Sequence, residues 1–190
     1  GKYWRNNVLG SLNLIEAAIE HNCKDFVFSS TCATYGEHDN VVLSESTKQE
    51  PINSYGSSKR SVEEMIKQFG KSDNLRYVIF RYFNVAGADK NLRCGFNIKK
   101  GYNLILNLCR AAVKNEKLRI NGDNYKTKDG TTIRDFIHVS DLAEIHYKVS
   151  KFINNKKIFF ILNCGYGFGF SVLEILKEFT RVSKKELNHF

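Results

Sequence analysis

The sequence predicts an α/β fold in which helices cover both faces of a parallel sheet. Short apolar runs, such as residues 26–28 and 77–80, alternate with longer segments of helical periodicity, such as 6–21 and 55–69. Near-continuous apolar strands of this kind are typical of a parallel sheet buried between two layers of helices. The 190 residues are 42% hydrophobic and 13% aromatic, which is the composition of a globular protein with a core.

The first half of the chain is predicted to form two helices and two strands. The segments are helix 6–21, strand 26–28 leading into a polar run 29–31, loop 36–53 around the only proline, helix 55–69 and strand 77–83. Apolar residues spaced by three or four define the helices. They are Val8, Leu9, Leu12, Ile15, Ala18 and Ile19 in the first, and Val62, Met65, Ile66 and Phe69 in the second.

The second half is rich in loops after Asn84 and continues the alternation. The predicted segments are helix 103–114, strand 118–120, strand 134–139, a helix from Ser140 to about 152, strand 158–162 and a helix beginning at Ser171. Serine is a favoured residue immediately before the first helical turn, so Ser140 is predicted to be an N-cap.

Charge and cysteine usage exclude several classes of function. The net charge is +9, but the lysines are spread along the chain and no Arg-rich helix occurs, so we expect no nucleic-acid partner. No apolar run reaches the roughly 18 residues of a membrane span, so we expect no membrane partner. The five cysteines form no CxxC pair, which indicates neither a metal site nor a disulfide framework. Thiols in a reducing compartment, the cytoplasm, are the simplest interpretation.

The stretch SYGSSKR places Tyr55 and Lys59 four residues apart, on one face of a helix. The helix starts just after a long loop, and Thr31 ends the preceding strand. Ligands of open α/β sheets bind where strands end and helices begin, so a hydroxyl, a phenol and an ammonium are expected to converge. Such a phenol could act as a general acid or base. The residues alone leave a helix-surface pair equally open.

Two other motifs are predicted to be structural. Tyr147 and Lys151 repeat the same spacing, but they lie inside a helix with no polar strand end before them. The loop CGYGFGF lies between a strand and a helix, where a dinucleotide fingerprint belongs. Phe170 stands where the third glycine of GxGxxG is needed, so we interpret this loop as a tight turn.

Six segments spread over nearly the whole chain carry a resemblance to a known family. They are NNVLGSLNLIEAA, FVFSSTCATYGE, EPINSYGSSKRSVEEMI, RYFNVAGA, GDNYKTKDGTTIRDFIHVSDLA and LNCGYGFGFSVLE. The chain resembles the extended short-chain dehydrogenase/reductase family and, within it, the UDP-glucose 4-epimerases. The resemblance implies a Rossmann-like, doubly wound parallel sheet without its N-terminal strands, and part of a smaller α/β substrate domain.

The resemblance implies NAD as the cofactor and UDP-glucose or UDP-galactose as the substrate, interconverted by transient oxidation at sugar C4. Tyr55 would be the catalytic acid and base, Lys59 would hold the nicotinamide ribose and lower the pKa of Tyr55, and Thr31 would bond the same sugar oxygen. The implied cofactor contacts are Asn6, Ser29, Tyr55, Lys59 and Phe83. The implied substrate contacts are Thr31, Tyr55, Asn84, Asn103, Leu104, Arg119, Ile120, Asn121 and Arg134.

The resemblance also implies a division into domains. Residues 1–84, with 134–152 returning to them, would be the C-terminal half of the NAD-binding domain. Residues 85–133 and 153–190 would be part of the UDP-sugar-binding domain. Taken without the resemblance, a helix cap is the favoured interpretation of Asn6, Asn84 could occupy a turn, and Arg134 could equally form a surface ion pair with the adjacent Asp135.

Other functions remain open at this stage. One is a related nucleotide-sugar enzyme, of the 4,6-dehydratase or decarboxylase type. Such a dehydratase usually carries Thr-Asp-Glu at the strand end, whereas Thr31 is followed here by Cys32-Ala33. Another is a non-catalytic protein that binds a sugar nucleotide, which the joint presence of Tyr55, Lys59 and Thr31 disfavours.

The chain does not begin with Met and contains no GxxGxxG glycine motif. By resemblance, it lacks the N-terminal cofactor-binding part of the family and a C-terminal part beyond Phe190. We therefore expect this segment alone to bind NAD weakly or not at all, and activity is expected of a longer protein. The family further implies a possible homodimer through helices such as 6–21 and 55–69.

Overall fold

The computed structural model describes residues 1–38, 42–97, 103–153 and 159–189. The chain divides into two compact units, Gly1–Phe83 with Leu142–Gly165, and Asn84–Asp141 with Tyr166–Phe190. The predicted α/β class with a parallel sheet is confirmed. Within the described residues, no helix combines the length and the apolar character that crossing a membrane requires.

The first unit is built on a three-stranded parallel sheet. Its strands are β1 (Asp25–Thr31), β2 (Arg76–Tyr82) and β6 (Phe159–Cys164), in the order β1-β2-β6. Thr31 lies opposite Tyr82, which in turn lies opposite Cys164. The three carboxyl ends therefore meet at one edge of the sheet, as parallel pairing in this register requires.

Helices lie on both faces of this sheet. A π-helical turn (Trp4–Leu9) leads into α1 (Gly10–Glu20), and α2 (Ser54–Ser72) follows the loop after β1. The core on their side contains Ile15, Phe28, Val62, Ile66, Leu75, Tyr77 and Ile79. Side chains alternate between the two faces of a strand, so Phe80 and Tyr82 point the other way. There they contact His146 of α4 (Val139–Phe152).

The second unit combines short strands with two helices. Strand β3 (Asn84–Ala86) pairs in parallel with β5 (Phe136–His138), and β4 (Ile133–Arg134) pairs antiparallel with β7 (Phe170–Ser171). Helices α3 (Leu104–Lys114) and α5 (Val172–Ser183) share a small core. Its buried members are Leu108, Ala111, Leu118 and Leu176.

Most of the predicted elements are confirmed, including the helices 6–21, 55–69 and 103–114 and the strands that became β1, β2 and β6. Residue 158, the first of the predicted strand 158–162, lies outside the described residues. Ser171 opens α5 as its N-cap and accepts a hydrogen bond from the backbone N–H of Glu174 (3.1 Å), whose carboxylate accepts in return from Ser171 N–H (2.9 Å). This reciprocal capping box satisfies two backbone donors that the first helical turn cannot.

Three predictions in the second half were wrong. Residues 118–120 are not a strand, because Leu118 makes only one isolated bridge, to His189. The segment 134–139 is divided between β4 and β5 at Asp135, whose carbonyl oxygen accepts hydrogen bonds from Asn84. Ser140 lies inside α4, which begins at Val139, so it is not the N-cap.

The bounds of the two units differ from the predicted domains at Asn84, which lies in the second unit, and in two longer segments. Residues 134–141 lie in the second unit, because β5 pairs with β3. The described part of 153–165 lies in the first unit, because β6 pairs with β2. The assignment of the domains to NAD and to the UDP-sugar stays a prediction.

Candidate active site

Tyr55 lies in the first turn of α2, beside the carboxyl end of β1. The helix begins there because the side chain of Asn53 accepts a hydrogen bond from the N–H of Gly56 (2.8 Å) and caps the helix. Burial raises the pKa of the Tyr55 phenol, and a hydrogen bond with the Thr31 side chain partly opposes that shift. The structure thus brings Thr31 and Tyr55 together, as the sequence predicts.

Lys59 lies one turn further along α2 and reaches the same strand end. Its Nζ donates a hydrogen bond to the carbonyl oxygen of Ser29 (2.8 Å) and lies 4.7 Å from the centre of the Phe28 ring. Burial lowers the pKa of this ammonium. Lys59 is not among the described groups that shift the pKa of Tyr55, so its predicted effect on that pKa stays a prediction.

Gly56 allows the close approach of α2 to this strand end, and sequence reasoning missed it. A Cβ atom at Gly56 would lie 2.3 Å from the carbonyl oxygen of Ala33, in the short 3₁₀ helix Cys32–Thr34 that follows β1. Any larger residue would have to displace the backbone of that turn or of α2. Only the adjacency of Gly56 to Tyr55 could have drawn attention to it.

A buried ion pair joins α2 to β2 beside the same strand end, and it too was missed. Arg81 donates to Glu63 through Nη2 (2.6 Å), with the two side chains 2% and 0% exposed. Glu63 also accepts from Ser30 Oγ (2.5 Å) and Gln49 Nε2 (3.0 Å). Glu63 lies eight residues after Tyr55, so the helical period places both on one face of α2. An arginine inside an apolar strand is the signal that sequence reasoning could have used.

The remaining predicted cofactor residues lie in the first unit. Ser29 is exposed at the end of β1, and Phe83 follows β2, where its N–H donates to Cys164 O (3.1 Å). Asn6 is exposed in the turn Trp4–Leu9, whereas its neighbour Asn7 donates to Ser58 Oγ of α2 (2.9 Å). That turn comes near the site through Tyr3, whose ring centre lies 5.6 Å from that of Tyr55.

The remaining predicted substrate residues lie in the second unit. Asn103 caps α3 by accepting from the N–H of Leu106 (2.8 Å), and Asn84 Nδ2 donates to Asp135 O (3.0 Å). Leu104 and Ile120 pack against the core of this unit. Arg134 lies in β4, opposite Phe170 of β7.

Arg119 and Asn121 line a polar cavity of about 340 Å³ in the second unit. The other residues of its lining are Asn107, Arg110, Ala111, Glu116, Lys117 and Leu118. Three of the eight are cationic and one is acidic, so the cavity has an excess of positive charge. A cavity of this size and charge could hold a polar, anionic group.

Two backbone donors of the glycine-rich loop after β6 are occupied. The N–H groups of Tyr166 and Gly167 donate to the Asp135 carboxylate at 3.0 and 2.8 Å. Backbone N–H groups of this kind bind phosphate in dinucleotide sites, and here a carboxylate accepts from them instead. The loop is therefore a turn fixed by Asp135, which agrees with the prediction.

The second Tyr-x-x-x-Lys pair lies at the surface of α4. Tyr147 is 63% exposed, and Lys151 Nζ lies 5.4 Å from the centre of its ring. The two pairs have identical spacing but different environments. Tyr147 is exposed, whereas Tyr55 is half-buried beside a strand end.

Comparison with known proteins identifies the family. A model of the NAD dependent epimerase/dehydratase family matches residues 1–165. The chain belongs to this family. One relative in it is a UDP-glucose 4-epimerase of Rhizobium meliloti (strain 1021), 41% identical over 187 residues, which are 98% of this chain and 57% of the relative.

Solved structures of family members have the same fold. A UDP-glucose 4-epimerase from Brucella ovis in complex with NAD superposes with a TM-score of 0.92 at 35% identity, covering 100% of this chain and 58% of that one. The enzyme from Bifidobacterium longum, in complex with NAD⁺ and UDP, gives 0.89 at 31% identity, with coverages of 100% and 57%. The chain thus spans somewhat more than half the length of these family members.

Proposed function

We propose that this chain carries the proton-transfer site of an enzyme that interconverts UDP-glucose and UDP-galactose with NAD as cofactor. The observation that carries the proposal is the meeting of Thr31, Tyr55 and Lys59 at the carboxyl end of a parallel sheet. The relatives named UDP-glucose 4-epimerase, and the NAD and UDP in solved family structures, support the choice of substrate and cofactor.

The chain's own residues suit each task in a transient oxidation at sugar C4. Tyr55 takes the proton of the 4-hydroxyl and later returns it, and Thr31 holds the same oxygen by a hydrogen bond. Lys59 is an ammonium donor one turn from Tyr55. Bound NAD would accept the hydride from C4 and give it back to the opposite face of the 4-keto sugar, with no net oxidation.

The polar side chains at the strand end and in the turn Trp4–Leu9 suit the polar groups of NAD. Lys59 is half-buried, and its burial makes a hydrogen bond from its ammonium stronger than one in water. Ser29 and Asn6 are polar and exposed, so both can accept or donate to a ligand. We propose Asn6, Ser29, Tyr55, Lys59 and Phe83 as the NAD contacts of this chain.

We propose that the second unit holds the UDP part of the substrate. Arg134 is exposed, and its planar guanidinium can form two parallel hydrogen bonds to a diphosphate. The cationic cavity beside Arg119 and Asn121 supports an anionic nucleotide as ligand. The other contacts proposed for the substrate are Asn84, Asn103, Leu104 and Ile120.

A chimeric enzyme tests the activity. The chain replaces the 187 matched residues of the Rhizobium meliloti enzyme, and conversion of UDP-galactose with NAD is followed by product analysis. Tyr55→Phe is expected to lower the rate about 10²- to 10⁴-fold, because it removes the group that transfers the proton. Tyr147→Phe, in the matched surface pair, is expected to leave the rate unchanged.

Three results would contradict the proposal. A chimera that binds NAD but converts no UDP-galactose would show that these residues do not support the reaction. A 4-keto-6-deoxy product would identify a dehydratase. Equal rates for Tyr55→Phe and the unsubstituted chimera would leave a non-catalytic role for the pair.

We also propose that the protein forms a homodimer through its N-terminal helices. Four large apolar side chains are exposed there: Tyr3 (50%), Trp4 (45%), Leu9 (53%) and Leu14 (60%). Burying such side chains against a second copy would remove them from water. Leu14→Glu is expected to convert the dimer to a monomer in light-scattering measurements, and Val113→Glu, at the 72% exposed Val113 of α3, to leave the mass unchanged. A monomeric unsubstituted chain would refute the dimer.

The cytoplasm is the proposed location. No disulfide joins the five cysteines, all of which lie in the described part of the chain. Thiols persist in reducing compartments, which supports this location.

A further inference from the structure

A chain of hydrogen bonds runs from α4 to the end of β1 on the sheet face opposite α2. Ser29 Oγ lies 2.8 Å from Tyr82 Oη, and Tyr82 Oη lies 2.7 Å from His146 Nε2. The other ring nitrogen, His146 Nδ1, lies 2.8 Å from the carbonyl oxygen of Leu142. In the first two of these hydrogen bonds either atom could be the donor, whereas in the last the carbonyl oxygen can only accept.

The last bond determines the direction of the others. A carbonyl oxygen only accepts, so His146 Nδ1 must carry the hydrogen. A neutral imidazole has one N–H, which leaves Nε2 as an acceptor, so Tyr82 must donate to it. With its hydrogen given to His146, the Tyr82 oxygen accepts from Ser29. The order is therefore Ser29 O–H to Tyr82 O–H to His146 Nε2.

Two features of Tyr82 support this direction. Its phenol is half-buried, and burial raises its pKa, so it keeps the hydrogen that it donates. His146 is held against it by ring contacts, with its ring centre 4.7 Å from that of Phe80 and 5.8 Å from that of Tyr82. The imidazole is thus fixed in a geometry that presents Nε2 to the phenol.

Ser29 connects this chain to Lys59. Its side chain bonds Tyr82, while its carbonyl oxygen accepts from Lys59 Nζ at 2.8 Å. The same residue is therefore held from α4 on one side and receives the ammonium of α2 on the other. A change that breaks the hydrogen bond between Ser29 and Tyr82 is therefore expected to weaken the hydrogen bond from Lys59 to the Ser29 carbonyl as well.

We infer that His146 is a positioning residue: as the neutral tautomer with hydrogen on Nδ1, it orients Tyr82 and Ser29 and thereby fixes the carbonyl that holds Lys59. The inference rests on the proposed function only in giving Lys59 a role in catalysis. The hydrogen-bond direction and its effect on Lys59 concern this chain alone, and they are measured without NAD or a UDP-sugar.

The tautomer is measured first, by ¹⁵N NMR of the histidine rings in the 190-residue chain at pH 8, where an imidazole is neutral. His146 is expected to show a protonated Nδ1 and a bare Nε2. His21 is an internal reference, because its Nδ1 lies 2.9 Å from Ala17 O, which is also the carbonyl four residues earlier in the chain. A His146 ring that is protonated on Nε2 at this pH would overturn the inference.

Positioning is measured by NMR titration of the Lys59 side chain in variants. His146→Leu removes the acceptor of Tyr82, and the Lys59 pKa is expected to rise toward the value of an exposed lysine as the ammonium returns to water. His146→Gln places an amide oxygen near the position of Nε2 and is expected to preserve the lowered pKa. His21→Leu, which breaks the equivalent bond within α1, is expected to have no effect.

The comparison of Gln with Leu separates positioning from packing. If both variants shift the Lys59 pKa equally, or if neither variant shifts it, His146 only fills space and the inference fails. Tyr82→Phe removes one oxygen atom and keeps the ring, so it gives a second test should His146→Leu not fold. It is expected to shift the Lys59 pKa upward, and an unchanged pKa would also refute the inference.

Discussion

Three successive residues at the end of β1 are each bound to a different partner. The side chain of Ser29 bonds Tyr82, that of Ser30 bonds Glu63, and that of Thr31 bonds Tyr55. Because successive strand residues face opposite sides, a run of hydroxyls can connect a strand end to elements on both faces of the sheet. The polar run that the sequence shows after residue 28 therefore has a separate structural task at each position.

Gly56 gives the first prediction at this scale. Gly56→Ala is expected to lower the free energy of unfolding by about 1–3 kcal/mol, because its Cβ would meet the Ala33 carbonyl oxygen at 2.3 Å. Relief of the clash moves the start of α2 away from β1 and weakens the hydrogen bond between Tyr55 and Thr31. Urea unfolding measures the first effect, and the NMR titration of Tyr55 measures the second.

Gly10 provides the control for this prediction. It also lies in a helix, but the nearest atom to its Cβ position is Arg5 O, at 3.8 Å. Gly10→Ala is expected to stabilise the chain by about 0.5–1 kcal/mol, the usual preference of a helix for alanine. Equal stability of the two variants would show that the close approach at Gly56 is not a constraint.

At the scale of elements, α2 presents one face to the end of the sheet. Tyr55, Lys59 and Glu63 follow one another at intervals of four residues, and each contacts β1 or its flanking residues. The helix thus contacts β1 at three successive turns, and at the third turn Glu63 also forms the buried ion pair with Arg81 of β2. Tyr55 and Lys59, at the first two of these contacts, are the residues proposed for catalysis.

Glu63→Gln tests the buried ion pair of Glu63 with Arg81. This substitution is expected to lower the free energy of unfolding by about 3–5 kcal/mol. Arg81 keeps its charge in a buried position, and the new amide nitrogen cannot accept a hydrogen bond from it. Glu64→Gln, at the next position, is the matched control. Glu64 pairs with Lys67 at 2.7 Å, and the two side chains are 52% and 25% exposed. We therefore expect Glu64→Gln to lower the free energy of unfolding by less than about 1 kcal/mol. Chemical denaturation measures both, and similar losses would contradict the structural role of the pair.

The elements show what a sequence can predict. Spacing of apolar residues predicts α1, α2 and α3 because a helix is defined by its own local periodicity. A strand needs a partner, which is why residues 118–120 have the composition of a strand but form only a single bridge. For the same reason Thr31, Tyr55 and Lys59 could be proposed from spacing and resemblance, whereas the pairing of Arg81 with Glu63 could not. Their pairing depends on how α2 lies against β2.

At the scale of the whole molecule, the proposed cofactor and substrate contacts fall into separate parts of the chain. The proposed NAD contacts lie in the first unit, and most of the proposed UDP contacts lie in the second. The chain spans 57% of the Rhizobium meliloti relative.

The last prediction follows from this partial span. The 190-residue chain is expected to bind NAD weakly or not at all, because it contains no GxxGxxG motif, whose glycines let the backbone approach the pyrophosphate closely. The one comparable loop, after β6, has two of its N–H groups bound to Asp135. Calorimetric titration with NAD measures the affinity, and the Rhizobium meliloti enzyme serves as the positive control. The chimera is expected to recover binding. If the chain alone binds NAD as tightly as that enzyme, the pyrophosphate must be held by residues within the chain, and our assignment of the cofactor contacts would be wrong.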